Sequence, residues 1–413
     1  MKKIIHYILW IFVIFLGAFS LNAQTIGCIS CHMELDDELK MPAEAFDSDK
    51  HNQFGLDCSS CHGGNPQSED FEKAKDQTFR GIPDKKEIPD LCGSCHSDSL
   101  YMRKYNPTIR VDQLDLYRTS QHGQLLAEGD IKAAVCTDCH GVHGILPATH
   151  PKSKTFPWNI PDTCSNCHSN NEYMKAYGIP TDQNADYRMS VHARALFEKK
   201  DLSAPVCNDC HGNHGAFPPE LSSISYVCHQ CHPSAADLFS QSPHKQAFDE
   251  LELSECEACH GNHKITSPTD AMLGTGDGSI CIECHDESSK AYSIAAKIKQ
   301  ILDTYKQRME TAELKLDKAD KQGVEVSEAR FQLQEATTLL IQSRNLTHSI
   351  SLEKIAETAA EGEEVLDRVL IAGDAALKEA QNRKIGLIVA TFFLALVATG
   401  LIFKIKQLNK KNE

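Results

Sequence analysis

Cysteine and histidine carry the recognisable chemistry of this chain. The stretch Cys207-Asn208-Asp209-Cys210-His211-Gly212-Asn213-His214 is a C-x-x-C-H motif with a second histidine three residues on. In such a motif two thiols add to the vinyl groups of a haem and the adjoining histidine becomes the proximal iron ligand. The motif occurs nine times. Its thioether positions are Cys28 and Cys31, Cys58 and Cys61, Cys92 and Cys95, Cys136 and Cys139, Cys164 and Cys167, Cys207 and Cys210, Cys228 and Cys231, Cys256 and Cys259, and Cys281 and Cys284. The proximal histidines are His32, His62, His96, His140, His168, His211, His232, His260 and His285. All 18 cysteines are used. Zinc knuckles have no fixed histidine after the second cysteine, and a disulfide framework does not impose this spacing. The expected cofactors are nine c-type haems with their iron.

After the lone first motif, a unit repeats four times: a histidine, a C-x-x-C-H-G, then a second C-x-x-C-H. The units open at His51, His122, His192 and His244, and the last three carry a further histidine after their first motif: His143, His214 and His263. These seven are the expected distal ligands, giving bis-histidine iron through the last three units. The first unit has Asn65 in place of the additional histidine. It therefore shares His51 with the lone haem. That leaves Met33, Met41, His150 and His229, or an open coordination position, for the two haems unprovided for. His229 sits inside its own motif and reads as a spacer.

The elements that position these residues follow from composition. Aromatic residues make up 7% of the chain, little for a large packed core. The expected fold is mainly α with much irregular loop, a multihaem cytochrome c fold wrapped on its cofactors. Domains are expected at 1–23 (signal peptide), 24–287 (haem domain), 288–384 (helical hairpin or three-helix stalk), 385–403 (transmembrane helix) and 404–413 (cytoplasmic tail).

Lys2 and Lys3, a short apolar run and Leu21-Asn22-Ala23 read as an export signal, an uncleaved anchor being the alternative. His6 lies within it and is no ligand candidate. After His285 cysteine disappears, and Ile294, Ile298, Ile301, Leu302, Tyr305, Met309 and Leu316 fall near helical spacing. Gly323 marks a turn. A second stretch contains Phe331, Leu333, Leu340 and Ile341, bends near Ser349 and resumes through Ile355, Val365, Leu366 and Val369. His348, in this stalk, is expected to have no haem role. Ile385 to Phe403 is long and apolar enough for one span. Lys404, Lys406, Lys410 and Lys411 beyond it outnumber Arg383 and Lys384 before it, which places the tail in the cytoplasm and the haem domain outside.

The net charge of −15 excludes the basic face that nucleic-acid binding needs and favours docking to basic patches on redox proteins. The patterns Ser-Val-His, Ala-Pro-Val-Cys-Asn-Asp-Cys-His-Gly-Asn-His-Gly and Cys-Gly-Ser-Cys-His over residues 28–285 resemble exported multihaem cytochromes c related to cytochrome c3 and NapC/NirT-type proteins. The chain departs from the NapC/NirT pattern in carrying Met33 directly after His32. The resemblance implies an electron carrier on the periplasmic side of the bacterial inner membrane, linked to quinol oxidation. Because one anchor helix without ionisable groups cannot handle quinol protons, an integral-membrane partner is expected. The competing expectation is a reductase or oxidase of a small nitrogen or sulfur oxyanion at one open haem; a haem store or scaffold is the third.

Overall fold

The computed structural model describes residues 27–218 and 226–409. The export signal with His6, and Lys410 and Lys411 of the tail, lie outside the described residues. The fold is mainly helical, with no strand among the described residues. The chain divides between residues 219 and 220 into two compact units, each treated by itself below.

In the first unit short helices alternate with loops, and each helix type recurs for a local reason. The opening histidines sit in the first turn of helices Lys50–Gln53, Gln121–Ala127 and Val191–Phe197. Each helix has a side-chain acceptor at its N-cap: Asp49 takes the His51 N–H at 2.8 Å, Ser120 the Gly123 N–H at 3.0 Å and Ser190 the Ala193 N–H at 3.1 Å. The first motifs form helices Ser59–His62, Cys136–His140 and Cys207–His211. These stop on Gly63, Gly141 and Gly212, with φ of +70°, +90° and +80°. A left-handed residue ends the helix there, which is why glycine follows the first motif of every unit. The second motifs close helices Ile88–His96 and Ile160–His168, which carry Pro89 and Pro161 in their first turns.

Protein-only apolar clusters in this unit are small: Leu126, Ala133 and Val135 in one, Tyr187, Ala193, Leu196, Ala204 and Val206 in another. The same polar fastenings recur around them. Arg118 pairs with Asp90 at 2.8 Å as Arg188 pairs with Asp162 at 2.5 Å. Tyr117 donates to the Ala134 carbonyl as Tyr187 does to that of Pro205. Cores this small are consistent with a fold that relies on cofactors for much of its apolar interior.

The second unit carries the fourth repeat and a three-helix bundle: α1 (Lys290–Asp320), α2 (Ser327–Asn345) and α3 (Leu352–Asn409). Eighteen buried residues form its core, among them Ile298, Leu302, Tyr305 and Leu316 of α1 and Ile355, Val365, Leu366 and Val369 of α3. The Tyr305 hydroxyl donates to the Ala336 carbonyl at 2.6 Å. Gly323 turns the chain between α1 and α2 at φ +77°, and Arg383 reaches back to its carbonyl at 3.1 Å. Phe331 and Ile341 lie on α2, as expected, and are exposed. The inward face of α2 is built from Ala329, Ala336, Leu340 and Ser343, small enough for the helices to approach closely. At the far end of α2 a 3₁₀ turn, Leu346–Ser349, leads through Ile350 (φ +53°) into α3. The apolar stretch of α3 has a mean hydropathy of 2.5 and none of it is buried, which makes it a candidate membrane anchor.

Candidate haem-binding sites

Among the described residues, pairs of imidazoles face each other at nearly one spacing. Ring centroids are 6.1 Å apart for His51–His96, 6.1 Å for His62–His143, 6.2 Å for His122–His168, 6.1 Å for His140–His214, 5.9 Å for His244–His285 and 6.2 Å for His260–His348. An imidazole nitrogen binds a first-row metal such as zinc at about 2.0–2.1 Å and its ring centroid lies ~1.1 Å behind, so two rings on opposite sides of one metal stand about 6.3 Å apart. Interplanar angles run from 10° to 86°, as free rotation about a shared axis allows. Each pair contains one C-x-x-C-H histidine, so the side chains present fit a bis-histidine haem iron.

The pairs follow a register that sequence spacing left open. The opening histidine of a unit faces the second motif of that unit, as His51, His122 and His244 do. The histidine after a first motif faces the first motif of the preceding unit, as His143 does with His62 and His214 with His140.

Asn65 then has an explanation. Cys28 is a near neighbour of Cys58, as Cys92 is of Cys136 and Cys164 of Cys207. The lone motif thus takes the place of a second motif, and no first-motif haem stands before Asn65 for a histidine there to serve. In the structure the first pair of motifs has two facing histidines, His51 across from His96 and His143 across from His62.

Residues 50–169, which run from the first opening histidine to the end of the second unit, match the cytochrome c3 family model. Residues 251–290 match the doubled CXXCH motif. The chain is a multihaem c-type cytochrome. No curated protein and no solved structure matches it.

The environment of the cytochrome's histidines suits ligation. Iron binds a neutral imidazole, and the hydrogen bond at one ring nitrogen leaves the other to coordinate. Nδ1–H of His32 donates to the Leu39 carbonyl at 2.7 Å and that of His62 to the Gly81 carbonyl at 2.8 Å. Burial pushes His96, His122, His140, His143, His168, His214, His244 and His260 below the usual histidine range, and neighbouring imidazoles add to this at most of them. No cysteine among the described residues is in a disulfide.

The remaining candidates fall as follows. His192 and His263 keep their places in the repeat, His192 in the first turn of Val191–Phe197 and His263 three residues after His260. Met33 and Met41 are exposed. His150 is exposed, and its Nδ1 accepts the Lys152 N–H at 3.2 Å. His229 stands 3.9 Å from the Asp237 carboxylate. Sequence spacing gave His348 no role, yet the structure sets it across from His260. A histidine in a helical segment without cysteines carries no motif, and only the fold brings it to one.

Proposed function

We propose that the cytochrome is a membrane-anchored electron carrier with nine covalent haems. It passes electrons between the quinol pool, through an integral-membrane partner, and a periplasmic or extracellular acceptor. The observation that carries this reading is the set of facing imidazoles, each pairing a C-x-x-C-H histidine with a second histidine at 5.9–6.2 Å between ring centroids. Cysteines of consecutive motifs are also near neighbours, Cys28 of Cys58, Cys92 of Cys136 and Cys164 of Cys207, and haems attached to them would lie close enough to suit electron transfer. Bound haem supplies one-electron chemistry; paired histidines saturate the iron and favour low potentials over substrate binding. The charge of −15 supports docking to basic redox partners. Lys404 and Lys406 after the apolar stretch support an external haem domain on the periplasmic side of the inner membrane.

Low-temperature EPR of the oxidised full-length protein, with haem counted by pyridine haemochrome, tests this. Nine haems per chain with the paired irons low-spin is the expected result. Substantially fewer haems, or widespread high-spin iron, overturns it.

One observation favours a second reading, an enzyme acting on a small nitrogen or sulfur oxyanion. None of the ring pairs among the described residues includes His32. A single high-spin haem that binds nitrite, hydroxylamine or sulfite would establish that site.

A further inference from the structure

We propose that His348, on the turn between α2 and α3, is the second axial ligand of the iron held by Cys256, Cys259 and His260. The proposal rests on the bis-histidine reading above and extends it to a residue of the helical bundle.

Three observations converge on it. The His348 and His260 rings stand 6.2 Å apart at 29°, within the range of the five pairs formed inside the repeats. Nδ1–H of His348 donates to the Asn345 carbonyl at 2.9 Å, which leaves Nε2 as the nitrogen with a free lone pair. His32 and His62 are oriented by the same kind of bond. The seat is also rigid. Arg344 grips Asp270 through two hydrogen bonds of 2.9 and 2.6 Å, and Asn345 donates to Ser234 at 2.7 Å. Both partners belong to the haem-bearing segment and flank the Cys256 motif in sequence, so the turn is fastened to that segment on two sides.

The register explains why a bundle residue is needed. The first-motif histidines His62 and His140 each face a histidine supplied by the following unit. The fourth unit is followed by α1 instead of another repeat, and His348 stands where that histidine would come from. The bundle therefore contributes a ligand, and coordination would join it to the haem segment through a metal bond.

The test uses full-length cytochrome extracted from membranes. His348→Ala leaves both thioethers intact, so the haem count is expected to match wild type while one haem equivalent changes from low-spin to high-spin in EPR. Added imidazole should restore the low-spin state. Gln342→Ala, at an exposed position of α2 near the turn, should change neither. His348→Met covers the case in which the alanine variant loses haem: it should raise the potential of one haem, since methionine–histidine ligation gives higher values. An alanine variant with full haem and a wild-type spin state overturns the proposal, as does a methionine variant with unchanged potentials. A wild-type protein with several high-spin haems would instead overturn the bis-histidine reading, so the two failures are distinguishable.

Discussion

The buried carboxylate of Asp49 accepts Nδ1–H of His51 at 3.0 Å, and its other oxygen takes the Ile145 N–H at 2.8 Å. The corresponding N-cap positions before His122, His192 and His244 hold Ser120, Ser190 and Ser242. His51 therefore has a carboxylate behind it at a position where the other units hold serine. A carboxylate on the outer nitrogen makes the imidazole a stronger donor and stabilises the oxidised iron. The haem between His51 and His96 is expected to be among the lowest in potential.

Asp49→Asn removes that charge and should raise one potential by about 59 mV, the equivalent of a tenfold change in a one-electron equilibrium. Asp49→Ser, which copies the other units, should do likewise. Spectropotentiometric titration of each variant against wild type checks it, and superimposable titrations would refute the role of the carboxylate.

Acid should weaken the assembly in a defined direction. The eight histidines held low by burial are neutral in the fold. The unfolded chain takes up protons near its ordinary value of about 6.5. Above that value neither state is charged and the full stability is present. As pH falls below it the unfolded state binds more protons, so stability drops. Melting temperatures followed by haem absorbance from pH 8 to pH 4 should be flat above about pH 6.5 and decline below it.

Gly362 has no room for a side chain, because a Cβ there would strike the Tyr305 hydroxyl. Gly362→Ala must push α3 off Tyr305 or break the bond from Tyr305 to Ala336. The expected cost is about 1–3 kcal/mol, read as a lower melting temperature by circular dichroism. Gly386→Ala, where a Cβ meets nothing, serves as the neutral control.

Truncation after Lys384 should release the cytochrome into the soluble fraction with its haem content intact. The buried residues of α3 end at Ala380, so the bundle keeps its core. A truncated chain that still sediments with membranes would show that the apolar stretch is not the anchor.

Much of this molecule was legible from spacing alone. The cysteines announce their chemistry because haem attachment demands two thiols and a histidine at fixed intervals. Gly323 and the bend near Ser349 were likewise readable as breaks in a helical period. The partner of each haem was not, because a distal ligand is set by which helix the fold lays across the iron. His143 and His62 are 81 residues apart and meet only after two units have folded. His348 lacks any local signature, and its neighbours Arg344 and Asn345 find Asp270 and Ser234 only in three dimensions. Phe331 and Ile341 marked the helix but not its inward face, which alanines supply.

Because α3 runs without a break from Leu352 into the apolar stretch, it also works as a ruler. From its first turn to Lys384 an α-helix measures roughly 50 Å. With Ile385 at the start of the proposed span and α3 upright, the His260 site would stand at about that height above the bilayer. Under the proposed anchoring, α3 would act as a spacer whose length sets how far this site stands from the bilayer.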